Sequence, residues 1–322
     1  MKAPFVWFGG KRRVADVVWA ALGDVDNYVE PFAGSLAVLL ERPNPPRTET
    51  VNDADGFIAN FWRALAADPE AVAKHCDWPV NEVDLFARHL WLVNTGRSRL
   101  LEGMEADPEW FDPQIAGWWV WGINSWIGSG WCSGKGPWKH DAAGQGVNRK
   151  LPHLGNAGKG VNRSHGHGGL YGYFDALADR LRNVRVCCGD WSRVVTDGAL
   201  THGSTVGVFL DPPYLGDVRT ADLYSVDDHT ISHAVREWCL ANGDNPRYRI
   251  VLAGYAAEHD HLIPDTWGRH SYSASAAYST AASAARQDGN HANRHNEMLW
   301  MSPHCAQPDT QIGLFDAEAD VA

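Results

Sequence analysis

The chain has 322 residues, 44% hydrophobic and 21% charged, and Lys+Arg 28 against Asp+Glu 39 leaves a net charge of −11. At about 150 residues per domain this is one large or two ordinary domains with ample core, which excludes a disordered, fibrous or disulfide-stapled chain. Its longest apolar runs fall far short of the roughly 20 residues of a membrane span and no signal-peptide pattern opens it, so a soluble, cytoplasmic monomer without a membrane partner is expected.

At the N-terminus, Phe5-Val-Trp-Phe-Gly-Gly-Lys11 forms a paired-glycine turn, Gly9-Gly10, ending in a cation. Such a turn suits a small anionic group such as a carboxylate. A β-rich apolar run follows over 25–40. Within it, Glu30-Pro-Phe-Ala-Gly-Ser35 comes directly after the strand residues Tyr28 and Val29 and before a helical run at 37–40. Gly34 lets the backbone approach a ligand, and ligands of open parallel sheets sit at the carboxyl ends of strands. The next strand, 48–51, runs into Asn52-Asp-Ala-Asp55. An acid there can accept hydrogen bonds from a ribose diol or cap the helix beginning near Phe57. Asp55 suits the cap better than Asp53 does.

Ten of the 16 tryptophans lie between Trp62 and Trp138. We read Trp118, Trp119 and Trp121 as core. From Trp131 to Leu170 the composition changes to six Lys or Arg against Asp141 alone, with ten glycines and no hydrophobic period. That predicts long loops, and a loop of this length is either functional or a solvated insertion. Basic residues among Gly and Asn suit a phosphate backbone: Lys135, Lys139, Arg149 and Lys150 for phosphates, and Asn148, Asn162 or Arg163 for base edges. Four histidines and Cys132 lie here too, at spacings that match no standard zinc finger, and no metal is expected. None of the six cysteines forms a Cys-x-x-Cys pair, so reduced thiols are expected.

Val184–Cys188, Val206–Leu210 and 248–253 are further short apolar runs, and helical patterns at 58–67 and 231–241 follow strands. Strands alternating with helices predict an α/β class with a parallel sheet. We place it in two pieces, 1–65 and 165–305, with 66–164 inserted and 306–322 as a tail. The run at 206–210 ends in Asp211-Pro-Pro-Tyr214. Pro212 and Pro213 stiffen the backbone and remove two N–H donors. Asp211 and the Pro212 carbonyl then form a rigid pair of acceptors beside the flat face of Tyr214. An exocyclic amine on a heterocyclic base needs this arrangement, because its lone pair is delocalised into the ring; two acceptors can localise it while stacking holds the base.

At these four places the chain resembles the Dam-like DNA adenine-N6 methyltransferases. Trp7-Phe-Gly-Gly-Lys11 looks like their methionine-binding motif, and Glu30-Pro-Phe-Ala-Gly-Ser35, with Phe32, Gly34 and Ser35, like their cofactor loop. Asn52-Asp53 looks like the ribose-binding acid and Asp211-Pro-Pro-Tyr214 like the catalytic motif. The order matches as well, with a target recognition segment between cofactor and catalytic motifs. Gly189-Asp190-Trp191 is similar to the family's cofactor-adenine motif, and Asn296-Glu-Met-Leu-Trp300 to its closing strand. Leu36 departs from the family, which has a second small residue there, and a bulky side chain is expected to narrow the cofactor pocket.

The resemblance implies a Rossmann-like methyltransferase fold with a mixed, mostly parallel sheet and an inserted recognition domain. It implies S-adenosylmethionine as donor, with its carboxylate near Lys11 and the Gly9-Gly10 turn, ribose on Asp53 and adenine amine near Asp190. The acceptor would be N6 of an adenine flipped out of duplex DNA. Cytosine C5 chemistry needs a nucleophilic cysteine, typically after proline, and no Pro-Cys occurs. Cytosine N4 stays open, as does a catalytically silent DNA-binding protein on the same fold. A nicotinamide enzyme would need a Gly-x-Gly-x-x-Gly after the first strand, which is lacking. In the tail, Gln311-Ile-Gly-Leu-Phe315 resembles the pentapeptide by which bacterial DNA enzymes dock on a sliding clamp, with Gln311, Leu314 and Phe315 as anchors. The expected setting is a bacterial or phage-infected cell, in a restriction-modification, orphan or phage role.

Overall fold

A computed structural model of the chain describes residues 1–5, 7, 11–126, 131–132, 139–140, 147–148, 161, 169–213, 228–272 and 297–306; at 139–140, 147–148 and 228–229 it describes the backbone. Strands β1 (Asn27–Glu30), β2 (Thr48–Asp53), β5 (Val184–Cys188), β6 (Val206–Leu210), β7 (Tyr248–Tyr255), β8 (Gly268–Tyr272) and β9 (Glu297–Met301) form one sheet of seven. Its order is β5-β2-β1-β6-β7-β9-β8. The first five strands are parallel, and β9 runs antiparallel between β7 and β8. This is the mixed, mostly parallel α/β sheet expected, and it is consistent with a methyltransferase fold.

Burial explains the order. β1 and β6 are buried at every position and occupy the middle, where both faces are covered. β5 and β8 are only half-buried and lie at the edges. Successive residues point to opposite faces. Val206, Val208 and Leu210 enter one core with Val235 and Cys239 of α8 (Asp228–Asn242). Phe209 enters the other, with Val18 and Leu22 of α1 (Ala15–Leu22) and Leu177 of α7 (Gly169–Leu181).

Among the described residues, five helices lie between β2 and α7: α2 (Gly56–Ala67), α3 (Pro69–Cys76), α4 (Glu82–Trp91), α5 (Arg97–Ala106) and α6 (Pro113–Ser125). A π-helical turn, Leu92–Gly96, joins α4 to α5. Asp55 caps α2 by accepting the Phe57 N–H at 2.8 Å, and Asp112 caps α6 by accepting from Ile115 at 2.9 Å. Phe57, Ile58, Phe61 and Leu65 then form the buried stripe of α2, and Trp119 and Trp121 that of α6. Trp118 is half-buried and meets Trp91 edge to face. The expected loops at 131–170 fall mostly outside the described residues; within them Lys139–His140 pairs antiparallel with Val147–Asn148, as β3 and β4. Among the described residues no helix is long and apolar enough to cross a membrane.

Two expectations after β1 need correction. The helical run at 37–40 is instead a turn followed by one 3-10 turn, Leu39–Glu41. Gly34 and Leu36 have φ of 45° and 54°, outside the right-handed helical region, so helical backbone can begin only after Leu36. Leu36 is fully buried in the core beside Leu39 and Val51, so its bulk is taken up there.

Candidate active site

The chain order of the sheet reverses between β1 and β6: from β1 the strands step outward through β2 to β5, and from β6 outward through β7. At such a reversal the loops leaving the two central strands diverge and open a crevice at their carboxyl ends. Glu30 ends β1, Asp211 follows β6, and the two strands pair in register through Val29 and Val208.

Beside this crevice the exits of β1, β2 and β5 are hydrogen-bonded into one unit. The Gly34 N–H donates to Asp53 Oδ2 at 2.9 Å and the Asp55 N–H to Asp53 Oδ1 at 2.9 Å. The Ala33 N–H reaches the Asn52 carbonyl at 2.8 Å, and the Gly189 N–H the Asp53 carbonyl at 3.1 Å. The Asn52 amide donates to the carbonyls of Pro31 at 3.1 Å and Gly189 at 2.9 Å. Its Oδ1 is buried with no hydrogen-bond partner among the described residues. An orphaned buried acceptor at a crevice calls for an external donor. Trp62 completes the unit, donating its indole N–H to the Gly34 carbonyl at 3.0 Å.

Trp7 lies over Gly34. A Cβ on that glycine would sit 2.7 Å from Trp7 Cδ1, so only glycine fits. Ser35 is buried in the same loop. Phe32 stacks on Trp191 with ring centroids 6.2 Å apart and planes 25° from parallel. Asp190 is exposed at the exit of β5, where its Oδ1 accepts the N–H of Ser192 at 2.9 Å and the Ser192 hydroxyl.

Lys11 is the unexpected element. Its side chain is 4% exposed and its Nζ lies 2.9 Å from Asp211 Oδ1, which joins the N-terminal motif to the Asp-Pro-Pro motif. Pro212 is buried and Pro213 half-buried. Nearby, Glu30 is buried and takes the Tyr28 hydroxyl on Oε2 at 2.9 Å. Burial pushes its carboxyl up to about 8; the Tyr28 hydrogen bond opposes this, and the charges of Asp211 and Glu49 add to it. The glutamate is therefore protonated at neutral pH.

The structure thus brings together Trp7, Lys11, Glu30, Gly34, Ser35, Asp53 and Asp211, with Phe32, Asp190 and Trp191 at the neighbouring β5 exit. Gly9, Gly10, Tyr214, Lys135, Arg149, Lys150, Arg163, Gln311, Leu314 and Phe315 lie outside the described residues, as does the Lys139 side chain. Asn52 enters the sequence reading only as the neighbour of Asp53, and Trp62 carries no site signal in the sequence; the structure gives both a place in this unit.

Residues 7–86 match the model of the D12 class N6 adenine-specific DNA methyltransferase family. No curated protein matches the chain. The matched stretch holds Trp7, Lys11, the loop after β1, Asn52 and Asp53, while Asp211 lies beyond it and is brought alongside by the pairing of β1 with β6. The match supports a Dam-like adenine methyltransferase family and indicates an adenine-specific DNA methyltransferase.

Proposed function

We propose, from the premise of that D12 class match, that this DNA adenine methyltransferase moves a methyl group from S-adenosylmethionine to N6 of an adenine turned out of duplex DNA. One observation carries the reading: a carboxylate, Asp211, held by Lys11 at the point where the sheet order reverses, beside the Trp7–Gly34 cradle.

The residues present fit the donor. Lys11 matches a carboxylate, the Gly34 backbone permits close approach, Asp53 would accept from a ribose diol, and the unsatisfied Asn52 Oδ1 offers a buried acceptor. Asp190 and the Phe32–Trp191 pair suit an aminopurine. When bound, the donor supplies a methyl group on an electron-poor sulfur. Asp211 and the Pro212 carbonyl would hold the two N6 hydrogens, localising the amine lone pair, and Tyr214 would stack on the base. No covalent enzyme intermediate is needed. Glu30, neutral beside Asp211, keeps a second negative charge out of the crevice.

In this reading residues 66–164 form the target recognition domain, inserted between the catalytic pieces 1–65 and 165–305. Lys135, Lys139, Arg149, Lys150 and Arg163 meet DNA phosphates and bases. The tail docks on a sliding clamp through Gln311, Leu314 and Phe315.

Transfer of labelled methyl from S-adenosylmethionine to adenine in duplex DNA, abolished by Asp211→Ala in protein whose circular dichroism remains that of the folded parent, is the expected result. Label found on cytosine N4 alone would overturn the choice of base. No transfer and no donor binding by the folded protein would leave a silent DNA-binding protein.

A further inference from the structure

Lys11 and Asp211 are the groups assigned above to two different ligands, the donor's carboxylate and the acceptor's amine, yet they are paired with each other at 2.9 Å. A lysine side chain 4% exposed cannot be left without a counter-charge, because burying an unpaired ammonium is strongly unfavourable. An aspartate oxygen held by an ammonium is also a weaker acceptor for an amine hydrogen. Glu30 does not replace Asp211 in this role, since burial keeps it neutral at neutral pH and Tyr28 already donates to its Oε2.

We infer that the Lys11–Asp211 ion pair is a latch between the two ligand sites: Lys11 exchanges Asp211 for the carboxylate of the donor, and Asp211 then presents the released Oδ1 to the target amine. The inference rests on the methyltransferase reading and adds to it an order of loading, donor before base. Nothing covalent changes. One ion pair replaces another, and the ammonium has a carboxylate partner throughout. Lys11 acts here as a positioning residue through Asp211. Because Asp211 competes with the donor for Lys11, the two sites are thermodynamically coupled, and removing the competitor must tighten donor binding.

Calorimetry with two non-reacting probes tests this: S-adenosylhomocysteine, which carries the carboxylate, and 5′-methylthioadenosine, which lacks it. Asp211→Asn is expected to tighten S-adenosylhomocysteine roughly tenfold and leave methylthioadenosine unchanged. Lys11→Met is expected to weaken S-adenosylhomocysteine alone, and in that background Asp211→Asn has no further effect. Asp211→Ser carries the same expectation should asparagine not fold at this position, and methylthioadenosine binding reports an intact cradle. If methylthioadenosine binds but S-adenosylhomocysteine is no tighter in either Asp211 variant, the latch is wrong and the methyltransferase reading stands. If neither probe binds the folded parent protein, the reading itself falls, and the latch with it.

Discussion

Asp53 grips the loop of the neighbouring strand by accepting the Gly34 N–H on Oδ2 at 2.9 Å, while its Oδ1 takes the N–H of Asp55 at 2.9 Å. Two residues on, Asp55 uses its own carboxylate to cap α2. The two acids therefore do separable work. Asp53→Ala leaves two N–H groups without their acceptor at the crevice and is expected to cost about 1–3 kcal/mol and most of the donor affinity. Asp55→Ala is expected to cost about 1 kcal/mol with donor affinity unchanged. Urea unfolding together with calorimetry separates them.

Gly34→Ala is expected to fail on two counts. Its φ of 45° costs an L-residue about 1–2 kcal/mol, and its new methyl would press on Trp7 Cδ1. In a Trp7→Ala background, which removes that contact, Gly34→Ala should lower the melting temperature by less than it does in the parent protein, the remainder being the backbone strain. No loss in that background would mean that the strain is absent.

Stability should fall as pH rises through the range between the ordinary glutamate value of 4.5 and about 8, because of Glu30. Over that interval the folded protein retains a proton that the unfolded chain has released, so proton loss favours unfolding. The stabilising effect is complete below 4.5 and is lost by about 8. Glu30→Gln, which cannot titrate, should flatten this slope in urea unfolding measured as a function of pH. An unchanged slope would assign it to other groups.

Away from the crevice, Glu49 of β2 is fully buried between two arginines, Arg180 bidentate at 2.7 and 2.9 Å and Arg42 at 3.0 Å. Glu49→Ala strands Arg180 and leaves Arg42 with Asp24 at 3.6 Å, and is expected to cost about 3–5 kcal/mol, with donor affinity per folded molecule preserved. Loss of affinity without loss of stability would contradict a purely structural role.

Deleting residues 306–322 should leave methylation of short duplexes unchanged and abolish binding to a sliding clamp in a pull-down with the purified ring. Retained clamp binding would remove Gln311, Leu314 and Phe315 from that role.

The central strands were legible because both of their faces are buried: Val206–Leu210 is an uninterrupted apolar run and occurs with those bounds. β8 was not, since an edge strand reading Gly-Arg-His-Ser-Tyr has no run to detect. Of the helices between β2 and α7, α2 was legible as the pattern at 58–67, whereas α4 and α5 were hidden for another reason. The π turn at Leu92–Gly96 adds a residue to the helical repeat and shifts the buried face midway through the α4–α5 stretch. At the site, the helix cap could be read locally, since Asp55 stands two residues before Phe57 and accepts its N–H. The pairing of Lys11 with Asp211 could not, because it depends on β6 lying against β1, which no local pattern specifies.

Because residues 27–30 and 206–210 supply the strands on either side of the crevice, a ribosome must release nearly two thirds of the protein before cradle and acceptor can meet. Truncated translation products would carry one without the other and be inert towards the genome. The same division makes the chain a natural split enzyme: cut within the long stretch between those strands, its halves should stay silent apart and regain activity only when brought together.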